Sequence, residues 1–189
     1  MMIGIVVLGG ILALAAWAVS VYNGLVQLNV RGDNAWSDID VQLKRRYDVI
    51  PNIVATVEGY AKHERTTLQS VIEARAKAMS TTGVAEKGQT EDVLTNTLKS
   101  LFVIVEKYPD LKANESFLRL QTTLIEIEET IQAARRYYNA VVRDYNTMVQ
   151  MFPAVIIAGA FNFKLREFFQ LNAPEVERQS PQVKIDLQN

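Results

Sequence analysis

No charged side chain occurs before Arg31, and that asymmetry limits what the chain can become. Residues 3–22 read IGIVVLGGILALAAWAVSVY, an almost wholly apolar run. About twenty such residues, at about 1.5 Å per residue in a helix, reach roughly 30 Å, the thickness of a bilayer's hydrocarbon core. The fitting reading is a transmembrane anchor carried by Ile3, Val7, Leu12, Trp17 and Tyr22, with the last two rings near the distal interface. A cleaved signal peptide would carry Lys or Arg ahead of a shorter apolar stretch, although Ala18-Val19-Ser20 offers a weak cleavage site. A buried core helix is the third option. Arg31, Lys44, Arg45 and Arg46 follow the span and nothing basic precedes it, so the positive-inside rule puts the remainder in the cytoplasm. Gly9 and Ala13 form a small-xxx-small pair, a motif that supports helix association but is common by chance.

The rest of the chain holds every charge, twenty basic against twenty-one acidic residues, for a net charge of −1. Nucleic acid is therefore a poor partner, because phosphate binding needs a basic excess. There is no cysteine, which excludes disulfides and thiolate metal sites, and one histidine, His63, which excludes any site needing two imidazoles.

Periodicity and punctuation predict four helical segments. The first continues from the anchor, with Leu25, Leu28, Gly32, Ala35, Ile39 and Leu43 on one stripe, to about Asp48, where Pro51 kinks or ends it. The second covers about 51–80. Ser80-Thr81-Thr82-Gly83 and Gly88 then mark a loop of about ten residues, with Thr90 as N-cap of a third helix that stops at Pro109. The fourth is the strongest. Asn114 caps it, and Phe117, Leu120, Leu124, Ile127, Ile131, Ala134, Tyr138, Val141, Tyr145 and Met148 follow at spacings of three and four. That is an unbroken coiled-coil-like a/d seam, and a helix over 115–150 would be about 54 Å long. The predicted fold is all-α: a transmembrane helix continuing into a long antiparallel four-helix bundle. After it, FPAVIIAGAFNF (152–163) is too short to span a bilayer and reads as a buried or interfacial piece. KLREFF (164–169) reads as a short amphipathic helix. The polar tail 172–189 reads as mobile, with a faint strand pattern at Val183, Ile185 and Leu187. The domains are then 1–30, anchor and juxtamembrane helix; 31–171, helical bundle; and 172–189, flexible tail.

Several blocks resemble the LemA family of bacterial membrane-anchored helical proteins: AWSDIDVQLKRRYDVIPNIV (35–54), GYAKHE (59–64), EKYPDLKANESFLRLQ (106–121), RRYYNAVVRDYN (135–146) and FP (152–153). They stand in family order and cover about 23–169. The resemblance implies one amino-terminal transmembrane helix and a four-helix-bundle domain at the bacterial inner membrane. It brings no established enzymatic activity, cofactor or catalytic residue. It also brings a hint of a partner, the membrane metalloprotease HtpX.

The residues that could carry chemistry have ordinary readings. His63-Glu64 opens a zincin motif, but its second histidine position is Thr67, and a di-iron Glu-x-x-His pair would need glutamate where Tyr60 stands. His63 then reads as solvated on the second helix. Asp38 and Asp40 are two apart on a helix and do not face each other; they read as partners of Gln42 and Lys44. The runs Lys44-Arg45-Arg46 and Arg135-Arg136 read as solvated faces paired with Asp48, Glu126, Glu128 and Glu129, ahead of lipid headgroup contact. Tyr138-Asn139 and Tyr145-Asn146 repeat one heptad apart, and their polar groups read as fixing register between helices, ahead of a ligand role. The function that follows is a non-enzymatic membrane scaffold that self-associates and binds protein partners. Phe152, Ile156, Phe161, Phe163, Phe168 and Phe169 supply its candidate contact surface, and the alternative is a lipid-interacting protein using 152–169.

Overall fold

The uncharged start of the chain and the first packed helix are one element, α1 (Met2–Tyr60). The computed structural model describes residues 2–169. Within them α2 spans Arg65–Ser80, α3 Val84–Val105, α4 is the single turn Pro109–Lys112, α5 spans Glu115–Gln150 and α6 Ala154–Ala160. Among the described residues there is no strand. The expected mobile tail at 172–189, with its strand pattern, lies outside the described residues.

Pro51 does not stop α1. A proline inside a helix cannot donate to the carbonyl four residues back, here that of Tyr47. Arg75 of α2 provides the missing donor, its Nε reaching the Tyr47 oxygen at 2.7 Å. The chain breaks at residues 61–64 instead, so the expected second helix over 51–80 is divided between the end of α1 and α2. His63 therefore lies exposed in that turn rather than on a helix.

The next connection is also shorter than its composition predicts. Only residues 81–83 separate α2 from α3, and Thr90 lies inside α3 with its hydroxyl donating to the Lys87 carbonyl at 3.0 Å. Lys87 makes the tight turn workable. Its buried ammonium donates to the carbonyls of Ala78 at 2.9 Å and Thr81 at 3.3 Å, covering carbonyls left open where α2 ends.

α5 starts at the expected cap, the Asn114 side chain accepting from Phe117 N at 3.0 Å. Along its seam Phe117, Leu124, Ile127, Ile131, Tyr138, Val141 and Tyr145 are buried, while Leu120, Ala134 and Met148 are half-buried. α1 makes its most extensive contact with α5, and α2 packs mainly on α3. Gly24 meets the side chain of Met148, Trp36 lies 5.5 Å from Tyr138 between ring centroids, and Arg46 bonds Glu128. Residue numbers thus fall along α5 as they rise along α1.

One apolar core runs from Ala35 through Ile39, Leu43, Ile50 and Ile53 of α1 to residues of α2, α3, α4 and α5. Each of those fully buried isoleucines and leucines contributes about 1.5–3 kcal/mol relative to exposure. A smaller cluster of Leu25, Tyr145, Val149 and Ala158 closes the end nearest the uncharged segment. Beyond it, α1 projects alone toward residue 2.

Residues 164–169 are not the expected amphipathic helix. After α6 the chain turns at Asn162, whose φ of 56° is a left-handed conformation that Asn tolerates. It then runs extended back along α5. The polar side chains of α5 hold this strap by its backbone, which removes the need for internal helical hydrogen bonds.

Candidate functional site

Three arrangements bring functional side chains together: the clamp on the strap, an ionic centre inside the domain, and the end of the domain beside the apolar half of α1.

The clamp is built from the two Tyr-Asn pairs. Asn146 accepts from Arg166 N and donates to Arg166 O, both at 2.9 Å. Asn139 does the same for Phe169, at 3.0 and 3.1 Å. Tyr145 donates to Lys164 O and Tyr138 to Glu167 O, each at 2.9 Å. The repeat fits because seven helical residues advance about 10.5 Å, and three extended residues about 10 Å. These residues therefore grip an extended segment, and the expected register contact between helices is corrected to a contact with the strap. Burial raises the pKa values of both tyrosines, although Arg166 nearby lowers them.

Arg166 fastens the strap to α1 as well. Its guanidinium bonds the Asn29 side chain at 2.9 Å and Asp33 at 2.7 Å. Burial pulls that guanidinium's pKa down, but Asp33 and then Tyr138 raise it, and the net direction is upward. A Cβ at Gly32 would stand 3.1 Å from it, so glycine there leaves room for the arginine to lie across α1. Phe169 is buried against Trp36, with centroids 5.6 Å apart.

The ionic centre overturns the solvated reading of Arg46, which is 1% exposed. Its guanidinium pairs with Glu91 of α3, and donates to Glu128 of α5 at 2.7 Å and to Thr95 at 3.1 Å. Tyr47 donates to the other Glu91 oxygen. Burial pushes the Tyr47 phenol up to about 12, against the lowering influence of Arg46, with Asp40 raising it further. Lys87, beside the Tyr47 ring, has its pKa lowered, first by burial. The centre ties α1, α3 and α5 together, and Arg46 and Glu91 pair within it away from solvent, which suits a structural role better than proton transfer. Lys44 and Arg45 remain exposed, as does Arg136, whereas Arg135 is half-buried and burial lowers its pKa. Asp38 and Asp40 are exposed on either side of buried Ile39. A cavity of about 120 Å³ between α3 and α5 is lined by Leu98, Phe102, Leu124 and Glu128 among others. Ligand sites usually measure roughly 300–1,000 Å³. Among the described residues no three His, Asp or Glu side chains gather as a metal site would require.

The third arrangement is apolar. Ile3, Val7 and Leu12 are exposed, Trp17 is half-buried, and Tyr22 is at the edge of exposure. The Tyr22 ring meets Phe161 at 4.7 Å and Phe163 at 5.8 Å. This divides the candidate contact surface. Phe152, Ile156 and Phe161 are exposed, Phe163 and Phe168 are half-buried, and Phe169 belongs to the core, because the strap carries it inward.

Sequence reasoning singled out the Tyr-Asn repeat but missed Arg46, Glu91 and Lys87 as buried groups and Arg166 as a clasp. An arginine on the apolar stripe, three residues after Leu43 and four before Ile50, was the available signal.

Comparison with known proteins gives these features a family. Residues 35–185 match the model of the LemA family. "Protein LemA" of Metamycoplasma hominis is 31% identical over 150 residues, 77% of this chain and 66% of its own length. "Magnetosome protein MamQ 2" of Paramagnetospirillum magneticum is 33% identical over 75 residues, 40% of this chain and 28% of its own. "Magnetosome protein MamQ" of Magnetospirillum gryphiswaldense is 22% identical over 174 residues, 78% of this chain and 64% of its own. The chain spans less than two thirds of the length of some of these relatives and about two thirds of the first. With an exposed apolar helix running into a helical domain, and a family match over most of its length, the chain belongs to the LemA family.

Proposed function

We propose that this protein is a membrane-anchored, non-enzymatic scaffold whose helical domain binds protein partners, including further copies of itself, at the bacterial inner membrane. The observation that carries this reading is the continuity of α1 from the exposed apolar segment into the domain core. An unbroken helix transmits position, so the domain stands at a fixed height from the bilayer instead of swinging on a linker. The architecture proposed is an antiparallel four-helix bundle made by the second half of α1 with α2, α3 and α5. Arg31, Lys44 and Arg45 beyond the single span favour the cytoplasmic side for that bundle. Membrane-embedded subunits are concentrated in a plane, where weak contacts multiply into avidity. A membrane protease such as HtpX is a candidate partner.

Affinity capture of the full chain in mild detergent, followed by light scattering, tests the reading. The expected result is a mass above that of one chain, with a second membrane protein retained. A chain recovered alone and monomeric at membrane-like concentration overturns it. Alkaline carbonate should leave the protein in the membrane pellet, and a cysteine at position 126 should be labelled only after the cytoplasmic face is opened.

A further inference from the structure

Between Asp144 and Lys164 the sequence contains no charge, and while Val149, Ala154 and Ala158 turn inward, several of its largest apolar side chains do not. Met151, Phe152, Ile156 and Phe161 are 57%, 79%, 60% and 59% exposed. Soluble surfaces rarely tolerate such a group without a covering partner. Its position indicates the partner. Val149 and Ala158 pack on Leu25, and Phe161 packs on Tyr22, so α6 stands against α1 near the end of the apolar run.

The length of α1 supplies the second argument. It is uncharged from residue 2 to residue 30, roughly 43 Å of helix at about 1.5 Å per residue. The hydrocarbon core accounts for roughly 30 Å, and about 40–45 Å includes the headgroup layers. The surplus of about 13 Å falls near Tyr22 to Val30, and α6 packs on the beginning of that stretch. Charges resume beyond it, at Arg31 and Asp33 on α1 and at Lys164 and Arg166 on the strap.

We propose that the knuckle formed by residues 151–161 sits in the boundary between lipid headgroups and acyl chains, as a second membrane contact beside the α1 span. This rests on the reading of α1 as a transmembrane helix. Lipid is the occupant because the patch is continuous with a lipid-facing helix, carries no charge and lies at the depth where Tyr22 favours the interface. A lone helix rotates freely about its axis in a bilayer. A second contact fixed to one side of α1 sets its rotation and tilt, and so decides which faces of the domain meet neighbouring proteins.

The chain has no cysteine, so single substitutions give unique sites for a nitroxide spin label. Phe152→Cys and Ile156→Cys, with Leu12→Cys and Glu126→Cys as references, are labelled in the full chain and reconstituted into vesicles of phosphatidylethanolamine and phosphatidylglycerol. Accessibility to oxygen, which partitions into lipid, is compared with accessibility to a water-soluble nickel chelate. The labels at 152 and 156 should show an oxygen-to-nickel ratio several-fold above that at 126, at a depth of about 5–10 Å and shallower than the label at 12. A ratio at 152 and 156 equal to that at 126, with the label at 12 in lipid, overturns the knuckle contact alone. Shielding from both reagents with dipolar broadening between labels also overturns it, by assigning the patch to a second copy. A label at 12 that behaves as if in water overturns the transmembrane reading and this inference with it.

Discussion

The two halves of α1 share one backbone and differ in what surrounds them. Before Tyr22 apolar side chains occupy every face, and no described residue of that stretch is buried in the protein. After Arg31 the buried positions Gly32, Ala35, Ile39, Leu43, Arg46, Tyr47 and Ile50 recur at helical spacing, with polar residues between them. Uniform apolarity suits a solvent that is the same on all sides, such as lipid, whereas a stripe suits a protein partner on one side. Hydrophobicity and periodicity are therefore separate signals, and here they assign different surroundings to one helix.

Substitutions in the second half should break the domain, while equivalent changes in the first should not. The largest effect is expected at the ionic centre. Arg46→Ala leaves Glu91 buried without its cation and should lower stability by about 3–5 kcal/mol in thermal unfolding followed by circular dichroism. Leu12→Ala, measured the same way in mild detergent, should change it by about 0.5 kcal/mol or less, as for an exposed position. Equal losses at the two sites would mean that the halves are not distinct.

The next largest belongs to the partner of the striped half. Leu124→Ala should cost about 2–5 kcal/mol, because the side chain is buried on the α5 seam. Glu126→Ala, exposed two positions away, should cost about 0.5 kcal/mol or less. A smaller loss is expected where the strap crosses the junction. Asn146→Ala removes a donor and an acceptor from Arg166, about 1–3 kcal/mol. Hydrogen exchange should then accelerate at the Arg166 amide while the middle of α5 stays protected; uniform acceleration would show that the strap and α5 open together.

The last effect is confined to alkaline solution. The Tyr47 phenol is raised to about 12 in the folded protein, from an ordinary value near 10 in the unfolded chain. Folding then favours the neutral phenol, so its contribution is complete below about pH 10 and is lost as pH rises through 12. Tyr47→Phe should flatten the fall in stability over that window, and an unchanged slope would place the alkaline transition at another group.

What the sequence determined by itself was local. The α5 range and its Asn114 cap, and the uncharged stretch of α1, follow from spacing and capping that residues a few positions apart specify. The elements that escaped it depend on distant partners. Pro51 stays inside α1 because Arg75, twenty-four positions later, fills the carbonyl it abandons. Arg46 is buried because α3 and α5 bring Glu91 and Glu128 to it, which no charge run reveals. The Tyr-Asn repeat was visible as a pattern, but its target was not. KLREFF can form a helix or a strap, and only the ladder offered by Tyr138, Asn139, Tyr145 and Asn146 selects the extended form, since it satisfies backbone groups that a helix would otherwise pair internally.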